Sequence, residues 1–141
     1  MKRLTLLLLF AGSFSVSLAQ SFAEKQIRDV MDKSANDWSA GNIDEFMKSY
    51  WNSDSVMYVS TRNITYGYQN MLNAYKRSFP DTASMGKLTF DLVDIRELSP
   101  EYYLVTGKFF LARTVGNANG VFTVLLRKIN GKWLIVYDHS S

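Results

Sequence analysis

The sequence contains no cysteine and only one histidine, His139, among its 141 residues. Disulfide bonds, thiolate nucleophiles and lipid attachment to a cysteine are therefore excluded. A lone histidine with scattered carboxylates provides no cluster of metal ligands, so we expect neither a metal nor a cofactor. The 16 basic residues barely outnumber the 13 acidic ones and form no basic stripe, which argues against nucleic acid as a partner.

No uncharged apolar run is long enough for a clear membrane span. The longest, residues 4–18, contains small residues and follows Lys2 and Arg3. A spanning helix needs about 20 apolar residues, whereas a basic start and a short apolar segment are typical of a secretory signal peptide. We predict a signal peptide over residues 1–19, cleaved after Ala19. The protein would then be secreted or periplasmic, with no membrane segment after cleavage.

The remaining residues, 20–141, have the length of a single domain. Loss of Lys2 and Arg3 would lower the net charge from +3 to about +1, which weakens further the case for an anionic polymer as partner. A domain of this size buries about two-thirds of its unfolded surface, so it can hold a hydrophobic core without disulfides.

Helical patterns fill the first part of this domain. Ser21 and Glu24 form the S-x-x-E pattern of a capping box, which predicts a helix start at Ser21. Gly41 is expected to end that helix, and Asn42 can cap a second one. A third helix is predicted over residues 68–79, where apolar residues recur at helical spacing.

Strand patterns begin in the middle of the chain and fill it after Gly86. Asn130-Gly131 is typical of a two-residue hairpin, and a break in alternation predicts a bulge near Val93. The pattern predicts an α+β fold with helices on one face of a curved sheet. The predicted strands cover residues 55–60, 64–67, 88–95, 102–113, 121–129 and 133–139.

The chain resembles the NTF2-like superfamily in this order of elements and in four segments: DWSAGNIDEFMKSYWNSDSVMYVS, YGYQNMLNAYKRSFP, LVTGKFFLAR and GVFTVLLRKINGKWLIVYDHSS. It is most similar to SnoaL-like proteins of the DUF4440 group, which is related to the association domain of calcium/calmodulin-dependent kinase. The resemblance implies a cone in which three helices of the N-terminal half pack on a strongly curved antiparallel sheet. It also implies a small-molecule cavity and a homodimer formed through the outer sheet face.

The last strand carries the candidate catalytic residues. Alternation, with the resemblance, predicts that Asp138 and Ser140 face inward, while His139 shares the outer face with Trp133 and Ile135. A carboxylate in an apolar cavity has a raised pKa and can act as acid or base. His139 titrates near neutral pH and is the second candidate. Alternatively, Asp138 pairs with Lys108 or caps local backbone groups at the strand end, and His139 is structural at the sheet edge or dimer interface.

The other candidates would bind a ligand. The resemblance implies a register that turns Thr106, Lys108 and Phe110 into the cavity. In the similar kinase domain an arginine follows the histidine, and Ser140 takes that position here. Aromatic side chains can select a flat or apolar ligand, although core packing is the alternative for each. The ligand-binding candidates are Trp38, Tyr58, Tyr75, Lys108, Phe110 and Ser140.

Three functions fit these residues. The first is a binding protein that holds a small apolar molecule. The second is an isomerase, dehydratase or cyclase that uses Asp138 as acid or base. The third is an oligomerisation module in which the cavity is incidental. The binding protein is our first hypothesis, and the other two are its alternatives.

Overall fold

A computed structural model describes the backbone of residues 5–141 and the side chains from residue 22 onward. Four helices and six strands are present in this part of the chain. The helices are α1 (Thr5–Ser39), α2 (Ile43–Met47), α3 (Tyr68–Ser78) and α4 (Thr82–Met85). The strands are β1 (Met57–Val59), β2 (Ile64–Tyr66), β3 (Lys87–Ser99), β4 (Tyr102–Ala112), β5 (Ala118–Ile129) and β6 (Lys132–Ser140).

Helix α1 begins earlier than the sequence pattern predicts. Its backbone is helical from Thr5, so Ser21 lies inside the helix and the prediction of a helix start there is wrong for this chain. The preceding residues are rich in leucine and lack proline, and such a composition favours continuation of a helix. Residues 1–4 of the predicted signal peptide lie outside the described residues, and its cleavage stays a prediction. Across the described residues, no helix has the length and apolarity that a membrane crossing requires.

Helix α1 packs on the sheet through one apolar face. Ile27, Met31 and Trp38 recur at spacings of four and seven and are almost completely buried. Asn42 caps α2 as predicted, because its side chain accepts a hydrogen bond from the backbone N–H of Glu45 at 3.1 Å. The short helix α4 was not predicted from the sequence.

The six strands form one curved sheet in the order β2-β1-β6-β5-β4-β3. Only the pair of β1 and β6 is parallel, and it places Tyr58 directly opposite Asp138. The predicted hairpin joins β5 to β6, with positive φ angles of 49° at Asn130 and 78° at Gly131. The fold is therefore the predicted α+β arrangement, with helices on one face of a strongly curved, unclosed sheet.

Bulges at Val93 and Val136 set the facing of β3 and β6, and a further register shift lies between Glu97 and Ser99. The predicted bulge near Val93 is confirmed, because the pairing with β4 shifts between Leu92 and Asp94. A second bulge was not predicted: Leu125 pairs with Tyr137 while Leu126 pairs with Ile135, which leaves Val136 without a partner in β5. An unpaired residue in a strand changes which side chains share a face.

The bulge at Val136 corrects the predicted facing of β6. Trp133 and Ile135 are buried, whereas the sequence pattern placed them on the outer face with His139. Beyond the bulge, Asp138 is buried and His139 is exposed, as predicted. Trp133, Ile135 and Asp138 thus all point inward, although strict alternation forbids that combination.

Candidate functional site

A cavity of about 140 Å³ lies between the helices and the concave face of the sheet. Side chains from α1, α2, α3 and five of the six strands contribute to its wall, so the cavity forms only when the helices pack on the sheet. Most of the wall is aromatic or aliphatic. The lining residues are Met31, Ser34, Trp38, Phe46, Tyr50, Tyr58, Tyr75, Phe79, Leu88, Phe90, Phe109, Leu111, Phe122, Val124, Ile135, Asp138 and Ser140.

Asp138 is the only ionisable carboxyl group in this wall. Its residue surface is 5% exposed. The hydroxyl of Tyr50 donates a hydrogen bond to Oδ2 at 2.6 Å, and the hydroxyl of Ser140 donates one to Oδ1 at 2.9 Å. Each oxygen therefore has one donor from the protein, and the carboxyl group is held in a fixed orientation.

Burial raises the pKa of Asp138 from its ordinary value of 3.8 to about 6. Removal of water from around the carboxyl group disfavours the charged form. The hydrogen bonds from Tyr50 and Ser140 lower the pKa and favour the carboxylate, and the electrostatic effect of His139 acts in the same direction as these bonds. The group thus titrates close to neutrality, where it can give up or accept a proton under ordinary conditions.

Three tyrosines surround this carboxyl group. Burial, followed by the negative charge of Asp138, raises the pKa of Tyr50 and of Tyr75 well above the ordinary value, and raises that of Tyr58 to about 12. All three hydroxyls stay protonated at neutral pH, and that of Tyr50 donates its one hydrogen to Asp138. The rings of Tyr58 and Tyr75 lie 5.7 Å apart, so they form one continuous patch of wall.

The backbone around Tyr50 explains how it reaches the carboxylate. Tyr50 forms an isolated parallel bridge with Ile135 of β6. The N–H of Trp51 donates to the carbonyl of Ile135 at 2.9 Å, and the N–H of Ile135 donates to the carbonyl of Ser49 at 2.8 Å. The chain leaving α2 is thus joined to the last strand, and the tyrosine hydroxyl is directed toward Asp138.

Five of the predicted site residues come together at this cavity. Asp138 and Ser140 line it from β6, Tyr58 from β1, Tyr75 from α3 and Trp38 from α1. The three aromatic residues were proposed on composition and position alone. Their common location follows from the parallel pairing of β1 with β6 and from the packing of α1 and α3 over the sheet.

Three other predicted residues lie away from the cavity. The prediction that Lys108 and Phe110 face inward is wrong: Phe110 is 47% exposed, and Lys108 is exposed beside it. The inward residues of β4 are instead those at odd positions, among them Val105 and Phe109, so the register implied by the resemblance is off by one. His139 also points away from the cavity and cannot reach a molecule bound there.

Two of the lining residues that carry a polar group, Tyr50 and Ser34, were not predicted as site residues. Nothing in the sequence pairs Tyr50 with Asp138, which lies 88 positions away. Ser34 lies three residues after Met31 and four before Trp38, and it is 2% exposed. A small polar residue inside the apolar face of a helix is a signal that could have indicated Ser34.

The residues with described side chains contain no group of three histidine, cysteine, aspartate or glutamate side chains placed to hold a metal ion. Asp138 stands alone among apolar and hydroxyl-bearing neighbours. The arrangement can therefore hold a polar or charged group of a small molecule, or exchange a proton with it.

The family model for the SnoaL-like domain matches residues 27–141. The chain belongs to this family. A solved NTF-2-like protein of unknown function from Shewanella oneidensis MR-1 is 34% identical to this SnoaL-like chain. The match covers 84% of this chain and 98% of that one, with a TM-score of 0.81. The predicted superfamily is therefore correct.

More distant structures share the fold. An NTF2-like superfamily protein from Salmonella enterica is 16% identical, with 86% of this chain and 92% of that one covered and a TM-score of 0.68. A putative calcium/calmodulin-dependent protein kinase II association domain from Xanthomonas campestris is 17% identical, with 82% and 84% covered and a TM-score of 0.66. No curated protein matches the SnoaL-like chain.

Proposed function

We propose that this SnoaL-like protein binds a small, mainly apolar molecule in its cavity and holds the polar end of that molecule at Asp138. The observation that carries the proposal is a single buried carboxyl group at the wall of an otherwise aromatic and aliphatic cavity. A cavity of about 150 Å³ in another protein holds benzene, so about 140 Å³ suits a molecule near that size.

The carboxyl group in the cavity wall has acceptor positions that a bound molecule can use. Buried polar groups in proteins ordinarily have hydrogen-bond partners, and each carboxylate oxygen offers two lone pairs. The protein supplies one donor to each oxygen of Asp138. The remaining acceptor positions are available to a donor from a bound molecule, which would also bury its apolar part against the aromatic wall.

An acid–base enzyme is the second candidate, and one observation favours it. The pKa of Asp138 is raised to about 6 by burial, and protonated tyrosine hydroxyls surround it. A base that titrates near neutrality beside hydrogen-bond donors is suited to moving a proton on a bound substrate. In that case, Asp138 takes the proton and a tyrosine hydroxyl stabilises the developing negative charge.

Turnover separates the enzyme from the binding protein. In a screen of small ketones, enones and hydroxylated rings, an enzyme should show turnover that Asp138→Asn abolishes and that Asp32→Asn retains. Asp32 is the matched control because it is an exposed carboxylate on α1, away from the outer sheet face. Absence of turnover across the screen, with unchanged ligand affinity in Asp138→Asn, counts against the enzyme.

We further propose that the protein is secreted or periplasmic and forms a homodimer through the outer sheet face. Phe110 and Val121, on neighbouring strands β4 and β5, are 47% and 52% exposed on that face. Exposed apolar side chains that lie close together favour contact with another surface. Val93 on β3 is also exposed and extends the same side of the sheet.

A native mass spectrum of the protein purified from a bacterial host tests these proposals together. We expect a dimer whose subunits begin at Gln20 and retain a small molecule. A larger assembly would favour the oligomerisation module, and an intact leader would contradict signal cleavage. If no molecule is retained, a thermal-shift screen follows, since a ligand at 100 times its Kd stabilises the fold by about 2.7 kcal/mol. Failure of every small apolar compound in that screen would remove the binding proposal.

A further inference from the structure

We propose that the molecule held in this cavity is a small organic cation, an amine or ammonium compound no larger than a substituted benzene. This inference rests on the proposed binding function and specifies the chemistry of the ligand. It depends on three observations: no described side chain forms an ion pair with the carboxylate, the protein supplies only one donor to each of its oxygens at the cavity wall, and nine of the 17 lining residues are aromatic.

Among the residues with described side chains, none supplies a counter-ion to the negative charge of Asp138. Five ion pairs occur among the residues with described side chains, and none involves Asp138. The groups that face it are hydroxyls: Tyr50 from the segment after α2, Tyr58 from β1, Tyr75 from α3 and Ser140 from its own strand.

The other neighbours of Asp138 do not neutralise it either. Its partner on β5 is Val124, which is apolar. His139 is adjacent along the strand, but its side chain is exposed on the other face of the sheet. Burial of an unpaired charge carries a desolvation penalty. A positive group bound in the cavity would offset that penalty.

The free acceptor positions of the carboxylate favour a charged donor. Tyr50 donates to one oxygen and Ser140 to the other, which leaves about half of the four lone-pair positions unused. A hydrogen bond between an ammonium group and a carboxylate is about twice as strong as one between neutral groups. An anion would be repelled, and a neutral alcohol would gain only the weaker bond.

The aromatic wall adds a second attraction for positive charge. Nine of the 17 lining residues are aromatic, which distinguishes this cavity from one built of leucine and valine. The faces of aromatic rings carry partial negative charge and attract cations, and cages of such rings recognise alkylated ammonium groups in other proteins. Tyr58 and Tyr75 supply rings beside the carboxylate, so both attractions act on the same end of a ligand.

Calorimetric titration of the purified protein with two matched pairs of probes tests the inference. Benzylamine and benzyl alcohol have nearly the same shape but differ in charge at pH 7.5, and isobutylamine and isobutanol provide a smaller pair. We expect the better-fitting amine to bind about tenfold more tightly than its alcohol, as the added charge–charge and cation–π attractions imply. In Asp138→Asn this preference should disappear, whereas in Asp32→Asn, on the exposed side of α1, it should persist.

A pH series gives the same test without a substitution. The pKa of Asp138 is about 6, so the carboxyl group is neutral at pH 4.5 while both amines stay charged. The amine preference should therefore be lost at pH 4.5, and affinity for the alcohols should change little. Equal binding of amine and alcohol at pH 7.5 would overturn the inference and leave the binding proposal intact. Binding of none of the four probes would count against both.

Discussion

In the ligand-free protein, the change in unfolding free energy caused by Asp138→Asn is expected to be roughly 3 kcal/mol more favourable at pH 7.5 than at low pH. The expectation follows from burial of the carboxyl group, which raises its pKa from 3.8 to about 6. The folded state thus binds the proton more tightly than the unfolded state does. The stability that this proton supplies is complete below pH 3.8 and is lost as the pH rises through 6.

Asparagine cannot ionise, so the variant should not lose this stability. The measurement is urea unfolding of both proteins at pH 4 and pH 7.5 after any bound molecule has been removed. Over that range the wild-type protein should lose roughly 2–3 kcal/mol more than Asp138→Asn does. Asp32→Asn serves as the control, since an exposed substitution changes stability by about 0.5 kcal/mol or less. Identical pH dependence in the wild type and Asp138→Asn would contradict the burial of a charged group.

Trp38→Ala is expected to have the largest effect on the fold itself, a loss of about 3–5 kcal/mol in the free energy of unfolding. The residue is 3% exposed. Its ring contacts Phe46, Phe79 and Tyr75 edge-on, at centroid distances of 5.0, 4.7 and 5.8 Å. Its Nε1–H donates to the carbonyl of Met85 at 2.9 Å, and that carbonyl would lose this partner in the variant.

Equilibrium unfolding of Trp38→Ala separates the two roles that the sequence left open for this tryptophan. Because small domains have only about 5–15 kcal/mol of total stability, the expected loss should be evident in the melting temperature as well. Tyr66→Ala is the control, since that aromatic ring is 60% exposed. A loss below about 1 kcal/mol for Trp38→Ala would indicate that the ring serves the ligand and not the core.

Local signals in the sequence predicted most elements of the fold. Asn42 caps its helix, Asn130-Gly131 turns its hairpin and the bulge near Val93 appears where alternation breaks. Each of these features depends on residues close together in the chain. The start of α1 was not predicted correctly, because the capping pattern at Ser21 competes with a leucine-rich segment before it that also favours helix.

The facing of the strands was harder to predict for a physical reason. Strand β4 has apolar residues on both faces, so alternation does not label one face as the inner one, and Lys108 and Phe110 were placed on the wrong side. In β6 the bulge at Val136 reverses the pattern midway. The inward position of Asp138 was predicted correctly, although the same reasoning misplaced Trp133 and Ile135. Tyr50 could not be paired with Asp138, because only the folded chain brings them together.

The bulge at Val136 decides whether Asp138 faces the cavity or the solvent. Deletion of this one residue would restore strict alternation and turn Asp138 toward solvent, while the hydrogen-bonded ladder on either side could persist. Loss of one residue would therefore convert a cavity lined by a carboxyl group into one whose remaining lining residues carry no charge. Among relatives with the same architecture, gain or loss of one residue here would change the chemistry of the chamber without any exchange of the aspartate itself.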